Sequence, residues 1–289
     1  MNYSSNDFLG TLVRLLVVAS VLLASLTGAA EDDPIDTLFE EFHLSTPGCA
    51  VGVQRSGHPK ELRAYGSADL EHGVPNSIDT VFEAGSVAKQ FTAVAILLLV
   101  QDDRLSLQDD IRKYFPELPD YGTKITVAML LNHTNGIRDW GDIQSAAGWP
   151  RGDKIFSHPM VLDIISSQKS LNFKPGTDWS YTNSGYNLAA MLVERISGRT
   201  LAEFSQDRLF KPLGMTHSQW RDDFRAVVPD RAIGYRPIPN GFESNMPFEN
   251  AYGNGGLLTT IGDLLIWNQA LSERYFGEFV DHELQQKTR

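Results

Sequence analysis

The chain has 289 residues, 42% hydrophobic and 21% charged, an ordinary globular balance with enough length for one large domain or two lobes sharing a core. Its formal net charge of -11 argues against a nucleic-acid partner, because phosphate recognition needs a basic surface. The single cysteine, Cys49, excludes an intrachain disulfide, and beside Ala50-Val51-Gly52-Val53 it reads as a small buried hydrophobe rather than a nucleophile.

The first 30 residues read as an export signal. Arg14 gives a positive flank, residues 15–26 form an uncharged and mostly apolar run, and Gly28-Ala29-Ala30 offers small residues for cleavage before the acidic Glu31-Asp32-Asp33. The run is short for a membrane span, which needs about 20 apolar residues. The expected location is therefore periplasmic or secreted, with no stable membrane association. An uncleaved signal acting as a membrane anchor is the alternative.

Residues 34–43 place Ile35, Leu38, Phe39 and Phe42 at helical spacing. Two strand-like runs, 49–55 and 61–68, flank Ser56-Gly57-His58-Pro59, a turn signal that predicts a hairpin with the helix packed against it. After Phe82-Glu83-Ala84-Gly85-Ser86, residues 87–100 predict a helix, and from Phe91 onward it is apolar almost all round, so it should be buried on every side. Residues 104–230 read as helices and loops broken by prolines, with amphipathic pieces at 191–196 and 201–209. A polar stretch over 229–250 leads to Tyr252-Gly253-Asn254-Gly255-Gly256, and a last helix is expected over 261–271.

A serine hydroxyl needs a base to become a competent nucleophile. Ser86 and Lys89 stand three apart at a helix start, which puts both side chains on one face. The helix N-terminus there favours developing negative charge. A second Ser-x-x-Lys, Ser166 to Lys169, has no long apolar helix after it and reads as surface. Farther along, Tyr181-Thr182-Asn183 lies in a Pro- and Gly-containing turn. A tyrosinate held by a nearby cation is a competent base, and an asparagine can orient the lysine or a substrate amide. Tyr252-Gly253-Asn254 repeats the Tyr-x-Asn pattern, so the triplet alone carries little.

Longer phrases carry more. Residues 82–91 and 105–116, the block Leu130-Leu131-Asn132-His133-Thr134-Asn135-Gly136-Ile137, then Pro212-Leu213-Gly214-Met215, and Gly255 to Thr260 with Asp263-Leu264 follow one another in order. Together they resemble the serine β-lactamases of class C and their relatives, the D-alanyl-D-alanine carboxypeptidases, D-aminopeptidases and esterases built on the same fold. Ser-x-x-Lys is a signature of β-lactamases and penicillin-binding proteins. In the block around His133, Asn135 stands where the family usually has serine.

The resemblance implies an α/β (α+β) class of the β-lactamase/transpeptidase-like type, an antiparallel sheet flanked by helices plus a helical lobe. It implies a serine hydrolase that works through an acyl-serine intermediate on a small-molecule or peptide substrate: a β-lactam, a D-Ala peptide or a small ester. Ser86 would be the nucleophile, Lys89 and Tyr181 would share the proton transfers, and Asn183 would position Lys89 or the substrate. The Ser86 N–H would be half of the oxyanion hole, and His133 would be structural. No metal or organic cofactor is implied. The remaining histidines show no metal-ligand spacing, and no Gly-x-Ser-x-Gly elbow occurs.

Residues 1–30 are thus expected as signal peptide and 31–289 as a partial domain. Its parts would be 31–85 in the α/β lobe, a mainly helical lobe over 86–250, and a return segment over 251–289. The family's third motif, Lys-Thr-Gly or His-x-Gly on a strand beside the serine, is not found. Lys287-Thr288-Arg289 follows a segment too polar for a buried strand and ends in Arg. The C-terminal strands are therefore expected to be missing and the chain truncated. Loss of one oxyanion donor costs about 10²–10³ in rate. The alternative to an enzyme is a catalytically inactive binding protein of the same fold or a truncated, non-functional fragment.

Overall fold

The computed structural model describes residues 33–277 except 56, 150, 151, 153, 247 and 248, together with 280 and 283. The expected signal peptide and the Lys287-Thr288-Arg289 triplet lie outside the described residues. The chain divides into a short unit ending at Glu41 and a large unit from Phe42 onward.

In the short unit, helix α1 is Pro34–Leu38, with Pro at its first position and the Asp33 carboxylate accepting the Ile35 N–H at 2.8 Å. It is shorter than the 34–43 helix that the spacing predicts. None of its residues is buried, and a turn this short gains little without a packed face.

The large unit begins with a hairpin of β1 (Cys49–Val53) and β2 (Glu61–Tyr65), antiparallel from Cys49↔Tyr65 to Val53↔Glu61. A second small pair follows, β3 (Ser67–Asp69) with β4 (Val74–Pro75). Strand β5 (Phe82–Glu83) then leads into helix α2 (Ala88–Gln101). Eleven of the fourteen α2 residues are buried, as an all-round apolar surface requires.

Helices α3 (Val127–Leu131), α4 (Trp140–Ala146), α5 (His158–Ser166), α6 (Asn183–Ser197), α7 (Leu201–Ser205) and α8 (Lys211–Leu213) follow, and a π-helical turn over Gln206–Phe210 joins the last two. Helix α6 starts earlier than the amphipathic run at 191–196 indicates. Thr182 caps it, its side chain accepting the Ser184 N–H, and Gly198 at φ 74° ends it. Helix α6 packs on α2 and also touches α3, α4 and α5.

After β6 (Gln219–Trp220), the polar 229–250 stretch contains a hairpin, β7 (Tyr235–Ile238) and β8 (Gly241–Ser244), which alternation does not announce because most of its side chains are exposed. Strand β9 (Leu257–Thr259) pairs on one side with β5 and on the other with β6, and helix α9 (Ile261–Ser272) follows. Gly52 of β1 lets α9 approach: a Cβ there would stand 2.7 Å from Ile261 Cγ1. Trp267 of α9 stacks on Phe91 of α2 with ring centroids 3.9 Å apart, tying α9 to the central helix. The whole is a mixed α/β arrangement in which each named strand pair is antiparallel.

The short β5 strand depends on more than its ladder. Glu83 accepts from Arg221 Nε at 3.2 Å and Nη2 at 3.1 Å, and Arg231 Nη2 lies 3.6 Å away. The Arg221 side chain is only 2% exposed, so removing the Glu83 carboxylate takes this counter-charge from a buried guanidinium and leaves it its bond to the neutral Glu249 carbonyl. Glu83→Ala is expected to lower the unfolding free energy by about 3–5 kcal/mol in urea titrations. A loss below about 1 kcal/mol would show that the pair does not hold the strand.

Candidate functional site

The site begins where β5 ends. The Ala84 N–H donates to the Leu257 carbonyl at 2.8 Å, which extends the pairing with β9 up to a 3₁₀ turn over Gly85–Val87. Gly85 has φ 52°, a left-handed conformation that glycine adopts without cost. This turn delivers Ser86 to the surface and sets Lys89 in the first turn of α2, where its side chain is buried.

The Lys89 ammonium has three N–H donors. It donates to Ser86 Oγ at 3.2 Å, to Asn183 Oδ1 at 3.0 Å and to the backbone carbonyl of Asn254 at 2.5 Å. It also sits 4.8 Å from the ring centroid of Tyr181 and 5.5 Å from that of Tyr186, within cation–π range. The Tyr181 phenol lies 2.6 Å from Ser86 Oγ, and either oxygen can be the donor. The four residues picked out by sequence thus meet in one place, although Tyr181 and Asn183 lie 95 and 94 residues beyond their partners.

Asn183 is the first residue of α6. Its N–H donates to Asp139 Oδ2 at 2.5 Å, and Asp139 also caps α4 by accepting from the Gly141 and Asp142 N–H groups. One carboxylate therefore fixes the starts of two helices.

Asn254 is the residue that sequence reasoning passed over. Tyr252-Gly253-Asn254 read as a chance copy of Tyr-x-Asn, yet its asparagine contributes a carbonyl to Lys89. Its segment is pinned from two helices. Thr92 Oγ1 of α2 donates to the Gly253 carbonyl at 2.8 Å, and Asn187 Nδ2 of α6 donates to Asn254 Oδ1 at 2.8 Å and to the Tyr252 carbonyl at 3.1 Å. No side-chain pattern encodes a backbone carbonyl ligand, although the Gly-rich run around Asn254 does signal a loop.

The other candidates fall elsewhere. Ser166 ends α5 with its hydroxyl donating to the Leu162 carbonyl at 2.7 Å, and Lys169 is exposed. Cys49 is half-buried on β1, and burial pushes its thiol up in pKa, away from the reactive thiolate. Among the described residues, the trio with metal-ligand geometry is Asp69 at the end of β3 with Glu71 and His72 of the exposed turn that follows, and His72 Nδ1 and Asp69 Oδ2 pair at 2.7 Å. A cavity of about 420 Å³ opens beside Gly85, lined by Phe82, Arg231, Tyr235 and Met246 among others. No helix among the described residues is long and apolar enough to cross a membrane.

Comparison with known proteins gives the family and the fold. The Beta-lactamase family matches residues 35–288. A D-aminopeptidase from Brucella anthropi is 30% identical over 228 residues, which are 77% of this chain and 42% of that protein. A lovastatin esterase from Penicillium rubens is 33% identical over 247 residues, 73% of this chain and 60% of the esterase. The chain spans less than half the length of the D-aminopeptidases it matches. The octameric penicillin-binding protein homologue from Pyrococcus abyssi superposes with a TM-score of 0.73 at 25% identity, covering 86% of this chain and 57% of the other. Because the family match takes in nearly every described residue and the superposition covers 86% of the chain, the chain belongs to the beta-lactamase family and has its β-lactamase/transpeptidase-like fold.

Proposed function

We propose that this chain is a serine hydrolase in which Ser86 is acylated, Lys89 and Tyr181 handle the proton, and Asn183 orients Lys89. One observation carries the reading: the Ser86 hydroxyl lies within hydrogen-bond reach of both the Tyr181 phenol and the Lys89 ammonium, at 2.6 and 3.2 Å. Asn254 joins them as the residue whose carbonyl holds the ammonium in register.

The steps balance within these groups. Ser86 Oγ attacks a substrate carbonyl carbon while its proton passes to the Tyr181 oxygen, which reacts as the phenolate paired with the Lys89 ammonium. The tetrahedral intermediate collapses to an acyl-serine ester, and the leaving group departs with that proton. Water then attacks the ester, gives up a proton by the same route, and Ser86 is regenerated. The ammonium beside the phenol stabilises the phenolate form at the moment of transfer. Open solvent at Ser86 and Tyr181, both exposed, admits the hydrolytic water.

The substrate class we propose is a β-lactam, a D-Ala-type peptide or a small ester, all of which present a carbonyl to the same first step. The D-aminopeptidase relatives support the peptide and the lovastatin esterase supports the ester. The apolar run and small residues before Glu31 support export, with a periplasmic or secreted product.

Turnover of p-nitrophenyl esters and nitrocefin tests the chemistry. Ser86→Ala is expected to abolish turnover and covalent labelling by a fluorophosphonate. Lys89→Met and Tyr181→Phe should each lower kcat by about 10²–10⁴. Combined, they should fall no further than the worse single variant, because groups acting as one unit are not additive. Acylation that survives Ser86→Ala, or fully additive losses, would contradict the assignment. Export is checked separately by N-terminal sequencing of the secreted product, expected to begin near Glu31. A product that keeps residues 1–30 would argue for the anchored form.

A further inference from the structure

Tyr181 sits in an irregular segment, with α6 beginning only two residues later, and the residue is 44% exposed. Holding its oxygen 2.6 Å from Ser86 therefore needs a constraint from outside its own segment. Residue 133 supplies one from both sides. The Ser180 N–H donates to the His133 backbone carbonyl at 3.0 Å, and the Thr182 N–H donates to His133 Nδ1 at 3.2 Å. Between these two bonds the Tyr181 ring lies on the imidazole, centroids 4.6 Å apart.

His133 has φ 61°, a left-handed backbone that is uncommon outside glycine, although Asn, Asp and His adopt it more often than other residues. In this conformation its carbonyl and its imidazole reach the two N–H groups that flank Tyr181. The surrounding segments are zipped in the same sense, with the Gly176 N–H on the Thr134 carbonyl at 2.9 Å and the Asn172 N–H on the Gly136 carbonyl at 2.8 Å. Asn135, at the family's serine position, braces the turn from inside: its Nδ2 donates to the Met129 carbonyl at 3.1 Å and its Oδ1 accepts the Ile137 N–H at 2.8 Å.

We propose that His133 is a positioning residue for the hydrolytic reaction: it clamps the backbone on either side of Tyr181 and so sets the phenol against Ser86. The inference rests on the proposed role of Tyr181. His133 does not contact the reacting atoms, and its part is to accept at Nδ1. An acceptor there requires the neutral ring with its proton on Nε2. The titratable groups facing the ring are Tyr181, Tyr186 and Lys89. Burial, and then the Lys89 charge, hold its pKa down to about 4, and burial keeps the Tyr186 phenol protonated.

The test compares His133→Asn with His133→Gly in the full chain. Both residues accept a left-handed backbone, but only Asn presents an oxygen where Nδ1 stands. With a p-nitrophenyl ester, His133→Gly is expected to lose about 100-fold in kcat at little change in KM, the cost of a reacting group displaced by about 1 Å. His133→Asn should recover most of that loss. Full kcat in His133→Gly, or equal losses in the two variants, would overturn the proposal.

Should His133→Gly not fold, the wild-type protein answers by nitrogen NMR of labelled histidine. The proposal requires the Nε2–H tautomer at residue 133 and an acylation rate that falls as pH drops through about 4, where protonation turns the acceptor into a donor. A proton on Nδ1 at neutral pH would overturn it. Failure of the underlying assignment has a different signature: no labelling of wild-type Ser86 by a fluorophosphonate at all.

Discussion

A buried ammonium organises this protein. Taking a charged amine out of water costs several kcal/mol unless its donors are met, so Lys89 can be buried only if oxygens converge on it. They come from three parts of the chain: the Ser86 hydroxyl before α2, the Asn183 amide at the start of α6, and the Asn254 carbonyl in the loop before β9. Each segment has a further anchor: the β5–β9 ladder for Ser86, Asp139 for Asn183, and Thr92 of α2 with Asn187 of α6 for Asn254. The need to satisfy one cation thus forces three distant segments into register, and the same register puts a hydroxyl and a phenol in contact.

The scaffold behind the site is stiff where the chemistry needs it. Helix α2 is packed on nearly every side, so Lys89 projects from an element with little room to shift. The Phe91–Trp267 stack and the pairing of β9 with β5 couple that helix to the return segment, which carries Asn254 just upstream. The edge proposed to react is more exposed: Ser86 and Tyr181 stand in solvent, and His133 accepts hydrogen bonds from the backbone on both sides of Tyr181.

Strong periodicity and long phrases were legible in the sequence. The all-round apolar run of α2, the β1–β2 hairpin and the last helix lie close to where pattern places them, because each is set by burial over many residues. Strands β5, β6 and β9 are two or three residues long, too short for any alternation to register, and they exist because β9 pairs with β5 on one side and β6 on the other. Helix α1 stops short because apolar spacing records a possible face and not a burial surface. At the site, Ser86, Lys89, Tyr181 and Asn183 could be named from residue type and context. Asn254 could not, since it acts through its backbone, and the bracketing of Tyr181 by His133 depends on a left-handed φ that histidine does not advertise.

The most direct test is a crystal structure of the wild-type chain after reaction with a fluorophosphonate. The account predicts phosphorus bonded to Ser86 Oγ, with Lys89 Nζ still within hydrogen-bond distance of Asn183 Oδ1 and the Asn254 carbonyl, and Tyr181 still against the modified oxygen. Phosphorus on another side chain, or a Lys89 amine turned away from both asparagines into solvent, would contradict it.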